Sequence, residues 1–159
     1  MNQKSISKIL TGLGISVGVL AGLLFYIYIP MAINDLVKYA PEVEFLKWPS
    51  IIGVGVVSGV CYYALYQFLC ICKQIGLLNS FCNENVLALR HIALAAMAVG
   101  ILIVLGDIYL LVVGWLHPGL FLVSLFFIFV ALAFAIVCFC LSSLLNNAVH
   151  IKNENDLTI

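Results

Sequence analysis

Four stretches of this chain are each long and apolar enough to cross a lipid bilayer, and that constraint removes most folds at once. They run from about Ile9 to Ile29, Ile51 to Cys72, Ile92 to Val113 and Leu120 to Leu141. A spanning helix needs roughly 20 mostly apolar residues. Each stretch is too long for a strand, and none alternates as the strands of a membrane barrel do. A helix pairs its own backbone N–H and C=O groups, which hydrocarbon demands. Only 9% of the 159 residues are charged and 65% are apolar, whereas a soluble domain is roughly a quarter charged and half apolar. So few charges cannot coat a water-soluble globule. The expected fold is all-α: one integral membrane four-helix bundle over residues 1–159, with the lipid bilayer as its main partner. No polar linker is long enough to set off a second domain.

Lys4 and Lys8 could form the basic start of a signal peptide. The apolar run that follows is too long, and FYIYIPMAI is bulky where cleavage requires small side chains. The first helix is expected to be retained.

Threading follows from the cations. Lys4, Lys8, Lys73, Arg90 and Lys152 fall on one side of a four-helix array, and only Lys38 and Lys47 fall on the other. The positive-inside rule then places both termini in the cytoplasm of a bacterial cell. Trp48, Trp115, Tyr26 and Tyr28 gather at the proposed outer interface, where amphipathic rings are most stable. Formal net charge is zero, so no basic field points to direct nucleic-acid binding. The outer connection from Pro30 to Pro49 is the longest, and its prolines forbid one continuous helix. Ala32 to Tyr39 could extend the first span as a short helix. The turn GWLHPG between the third and fourth spans is tight, so those two spans should be antiparallel neighbours.

Helices in lipid associate through close packing rather than hydrophobic drive. Gly14, Gly18 and Gly22 recur every four residues on the first span. Gly55 and Gly59 do so on the second, and Ala131 and Ala135 on the fourth. Packing within the chain is the favoured use, and a homo-oligomer face is the alternative. The six cysteines lie mostly at inner helix ends, in a compartment that keeps thiols reduced. Cys70 with Cys72, and Cys138 with Cys140, are spaced two apart, and such residues point about 200° apart on a helix. Small buried side chains are the expected reading, with acylation and metal binding as alternatives. No nucleophile–base pair, phosphate loop or metal-ligand set is present, so neither catalysis nor a cofactor is expected.

The inner loop reads LLNSFCNENVLALRHIALA. Asn79, Ser80 or Asn83 could cap the third helix, and Glu84 would favour its first turn. Phe81, Asn85, Val86, Leu89 and Arg90 match a Phe-x-x-x-Asn-Val-x-x-Leu-Arg pattern. The last six residues run Glu154, Asn155, Asp156, Leu157, Thr158 and Ile159. In both stretches the chain resembles a bacterial membrane family called domain of unknown function 2975. That family usually has a proline before the loop phenylalanine, and Ser80 stands there here. The resemblance implies a multi-pass membrane protein with no assigned activity. It also implies a small cytosolic helix-turn-helix regulator as partner, since such regulators are often encoded beside members. Candidate docking residues are Phe81, Asn85, Arg90, Asp156, Leu157, Thr158 and Ile159. The DLTI end suits capture as an added strand or in a carboxylate nest, or it simply frays.

One acid stands inside a span. Asp107 lies six residues before Val113, about 9 Å at 1.5 Å per residue. An acid near mid-span costs about 2.5–3.5 kcal/mol on insertion scales, less toward the edge, so it should face the bundle. Ser58, Ser124 and Tyr26 are depth-matched partners. Asp107 then either pins helices together or serves a transport path. The primary expectation is an interaction or regulatory module that docks a cytosolic partner through the inner loop and tail. The alternatives are a small transporter or transporter subunit using Asp107, and an immunity-type protective protein contacted at the outer loop.

Overall fold

The computed structural model describes residues 3–156. All its regular elements are helical, and four helical segments are long and apolar enough to cross a membrane. Helix α1 spans Gln3–Leu23, and α2 spans Ile29–Tyr39. Between them Leu24–Tyr28 forms one π turn, in which the Ile29 N–H bonds the Leu24 carbonyl five residues back. Pro30 explains the change of register. It has no N–H to offer, and its ring would clash with the carbonyl of Tyr26 four residues earlier. A π turn absorbs such a mismatch without ending the helix.

The run Lys4–Tyr39 has 36 residues, about 54 Å at 1.5 Å per residue. The hydrocarbon core is about 30 Å thick, so the run is longer than one crossing needs, and α2 continues the first helix as expected of Ala32 to Tyr39. The rest of the expected Pro30–Pro49 loop is a correction. The chain leaves helical geometry only at Ala40, with φ −134° and ψ 83°. The ring of Pro41 drives the preceding residue out of the helical region. A 3-10 turn over Pro41–Leu46 then leads directly into α3, Lys47–Gly76. Pro49 falls in the first turn of α3, where a missing N–H costs nothing.

Leu77 to Cys82 reverse the chain, with Leu78 at φ 62°. Helix α4 follows, Asn83–Val113, and starts where the sequence suggested. Its cap differs from expectation. Cys82 occupies the cap position, and neither Asn79, Ser80 nor Asn83 supplies a capping side chain. Gly114 ends α4 at φ 79°. Trp115 N–H bonds Leu110 O at 3.0 Å and Gly114 N–H bonds Leu111 O at 3.0 Å, the paired closure that a left-handed glycine permits. Pro118 opens α5, Pro118–Asp156, and the Gly119 N–H donates to His117 Nδ1 at 3.2 Å.

The last helix therefore runs well past Leu141. LSSLLNNAVHIKNEND contains no Gly or Pro to stop it. Ser142 and Val149 are buried, with Leu145 and Ala148 half-buried between them, so the packed stripe continues at three- and four-residue steps. Asp156 closes this helix, well beyond the expected end of the fourth span at Leu141. Leu157, Thr158 and Ile159 lie outside the described residues.

The helices pack in chain order: α1 on α3, α3 on α4, α4 on α5. Among the described residues, no α1 backbone comes within 8 Å of α5. The bundle is consequently open along one side, around an apolar cavity of about 390 Å³ that all four spans line. Ile92, Ala93 and Cys138 form the tightest core, backed by Phe68, Ile71 and Phe139. Most large apolar side chains face outward, among them Leu20 at 65% and Phe129 at 70% exposure. In water that would be untenable; in lipid it is the expected surface.

Candidate functional site: two polar pairs and the loop before α4

Polar groups inside the spans are few, and several tie neighbouring helices together, while Thr11 and Ser16 bond carbonyls of their own helix. The carboxylate of Asp107 on α4 accepts from Ser124 Oγ on α5, Oδ2 to Oγ 2.6 Å. Ser124 Oγ also lies 2.9 Å from the Phe121 carbonyl. One hydroxyl proton thus has two acceptors, one across the interface and one in its own helix.

The other two depth-matched candidates do not join Asp107. Ser58 on α3 and Tyr26 in the π turn pair with each other, Oγ to Oη 3.0 Å. The Ser58 hydroxyl also reaches the Gly55 carbonyl at 2.8 Å. The four expected residues form two separate pairs, with no hydrogen bond between the pairs among the described residues. Helix geometry is the reason. Asp107 and Ser124 stand on either side of a tight turn, so they are neighbours by chain path, whereas Tyr26 belongs to α1's packing against α3. His117, in the adjoining turn, accepts from the Gly119 N–H and caps α5.

Tyr62 was not foreseen. Its hydroxyl donates to the Gly18 carbonyl at 2.9 Å, and its ring stacks on Tyr26 at 6.3 Å between centroids. Glycine makes that approach feasible: a Cβ on Gly22 would lie 2.6 Å from the Tyr62 hydroxyl. A Cβ on Gly18 would lie 2.7 Å from Leu65 Cδ2, and one on Gly14 2.9 Å from Leu69 Cδ2. Steps of four on α1 thus meet steps of three and four on α3, which is the intramolecular use expected of the glycine series. Gly55 and Gly59 differ: nothing lies within 4 Å of a Cβ at either. Toward the end of the molecule where α1 starts and α5 finishes, Ser7 Oγ donates to the Cys72 carbonyl at 2.7 Å and presses on Gly76.

The loop before α4 is held by Asn85. Its Nδ2 donates to the Ser80 carbonyl at 2.9 Å, while its buried Oδ1 has no partner among the described residues. At 3% exposure Asn85 ties its own loop and offers no docking surface, a correction to its expected role. Phe81 is 53% exposed, and Arg90 is exposed. Leu89 lines the central cavity. The Val86 carbonyl accepts from Ser142 Oγ at 2.9 Å, which fastens α5 to the first turn of α4. Burial pushes the Cys82 thiol up from its ordinary value, with Glu84 adding to the shift. His91 sits beside Tyr63, ring centroids 6.2 Å apart. Among the described residues, no three His, Cys, Asp or Glu side chains gather as a metal site. The cysteines are free, and Cys72, Cys82 and Cys138 are buried as expected, while Cys140 is exposed.

Four apolar helices, sparse interhelical polar ties and a lipid-type surface define a multi-pass membrane protein. Within that class the chain belongs to the family described as "Protein of unknown function (DUF2975)", whose model matches residues 31–159. It is similar to the uncharacterized membrane protein YoaS of Bacillus subtilis (strain 168), 29% identical over 133 residues, covering 82% of this chain and 83% of that one. No solved structure matches.

Proposed function

We propose that this protein is a non-enzymatic interaction module of the bacterial cytoplasmic membrane, with both termini cytoplasmic, that docks a cytosolic partner on its inner face. The observation that carries the reading is the loop joining α3 to α4. Leu77, Leu78 and Phe81 are 63%, 63% and 53% exposed on a segment beyond the apolar runs. Apolar groups clustered outside the hydrocarbon mark a contact surface. Asn85 pre-shapes that segment through Ser80, so a partner meets an ordered loop and the ordering cost of binding is small. The charge asymmetry supports the inner placement, since five of seven cations share this face. A small helix-turn-helix regulator is the proposed partner, held through this loop and the tail from Asp156 to Ile159. The bond from Ser124 to Asp107 favours a structural use of the acid over transport.

The test is co-purification from native membranes. Phe81→Ser, or deletion of Asp156 to Ile159, should release a soluble partner that the intact protein retains. A partner held equally by both variants would remove this reading.

A further inference from the structure

We propose that the cleft between α4 and α5, toward the end of the bundle where α1 starts and α5 finishes, binds the phosphate of an anionic phospholipid, with Arg90 as its charge partner. The cleft has a volume of about 590 Å³. Asn83 and Arg90 border it from α4, and Ser143 and Asn146 from α5. Arg90 is the only charged residue among those lining it, and it forms no ion pair within the described residues. Asn83, Ser143 and Asn146 are exposed, and their side chains make no hydrogen bond within the described residues. Four sets of unengaged donors thus border one recess. The walls are fixed: the Ser142 hydroxyl bonds the Val86 carbonyl at 2.9 Å across the same interface.

Depth and shape name the ligand. Arg90 precedes the apolar run that begins at Ile92, and Ser143 follows the one that ends at Leu141. Both walls therefore stand at the level of lipid headgroups. A guanidinium fork matches two phosphate oxygens, and hydroxyl and amide donors can take the others. Leu87 and Phe139 supply an apolar side to the same recess. A free phosphate would use only the polar rim, whereas a phospholipid would also lay its glycerol and first methylenes on those two side chains. Basic recesses between helices at this depth suit anionic headgroups. The inference is independent of the proposed docking of a cytosolic protein, and its test contains no such protein.

The experiment uses the full chain, purified in a neutral detergent and titrated with phosphatidylglycerol, phosphatidylcholine or inorganic phosphate. Native mass spectrometry counts retained lipid, and thermal unfolding reads the shift. Wild type should retain phosphatidylglycerol over phosphatidylcholine. Arg90→Gln should weaken that retention roughly ten-fold or more, the size of a lost charge-assisted bond. Lys73→Gln, which removes a cation of the same face outside the cleft, should bind as wild type. Should Arg90→Gln fail to fold, the pair Ser143→Ala and Asn146→Ala replaces it, with weaker retention expected. Equal retention by wild type and the cleft variant, or an equal loss in Lys73→Gln, overturns the site. Stabilisation by inorganic phosphate matching that by the lipid overturns the assignment to a phospholipid.

Discussion

Ser124 holds the carboxylate of Asp107 across the α4–α5 interface at 2.6 Å, one tight turn away along the chain. The acid is thereby partnered by the nearest available hydroxyl of the adjoining helix, without help from the rest of the bundle.

Ser124→Ala should destabilise the protein by about 1 kcal/mol, the scale of interhelical hydrogen bonds in membranes. Asp107→Asn should cost less, because the amide can still donate to Ser124 while Ser124 turns its proton to Phe121. A double-mutant cycle with Asp107→Leu and Ser124→Ala should give a coupling of about 1 kcal/mol. Reversible unfolding in mixed micelles measures it; a coupling of zero would mean that the pair contributes nothing.

Gly22→Ala should destabilise the protein and Gly55→Ala should not. At Gly22 a methyl group meets the Tyr62 hydroxyl, and the bond from Tyr62 to Gly18 is lost with it. A loss of about 1–3 kcal/mol is expected there, typical of overpacking. At Gly55 nothing obstructs the methyl, so the higher helix propensity of alanine should leave stability unchanged or raise it by up to about 1 kcal/mol. Tyr62→Phe placed on Gly22→Ala should add little, since the hydroxyl bond is already gone.

Asn85→Ala should free the segment from Leu77 to Cys82. The loop loses the bond to the Ser80 carbonyl, worth about 1 kcal/mol. Hydrogen exchange should speed up in that segment while the centres of α3 and α4 stay protected. Uniform acceleration over the whole chain would show that Asn85 acts on global stability.

Cys82 should alkylate slowly at neutral pH. Its thiol is raised by burial, so the reactive thiolate is scarce, and its rate should climb about ten-fold per pH unit until the thiol titrates. A maleimide assay on a variant retaining only Cys82 reads this directly. A rate flat with pH would contradict the shift.

The final turns of α5 should behave as a packed helix. Nitroxides placed singly from Ser142 to His150 should show mobility with a period near 3.6 residues, lowest at Ser142 and Val149. Uniformly high mobility would show that these turns do not pack.

What could be read from the sequence was what hydrocarbon dictates. The four spans, the close packing at Gly14, Gly18 and Gly22, the start of α4 at Asn83 and the pairing of Asp107 with Ser124 follow from apolar length, spacing and turn shortness. The errors have local causes. Prolines suggested an outer loop, yet Pro30 is absorbed by a π turn and Pro49 by a first turn, and only Pro41 bends the chain, at Ala40. Falling apolarity ended the fourth span near Leu141, but composition does not reveal that Ser142 and Val149 have a surface to pack on. Tyr26 and Ser58 were matched to Asp107 by depth alone, and depth says nothing about which neighbour a helix face meets. Tyr62 left no mark in the sequence beyond its opposition to a glycine on another helix.

Because, among the described residues, the backbone of each spanning helix comes close only to the spans before and after it, assembly has no ring to close. Each new segment that leaves the ribosome finds its mate already in the bilayer, and none waits for an element not yet made. Such local connectivity favours rapid folding. It also means that cutting away α5 would cost α4 one flank and leave the α1–α3 pair as it was.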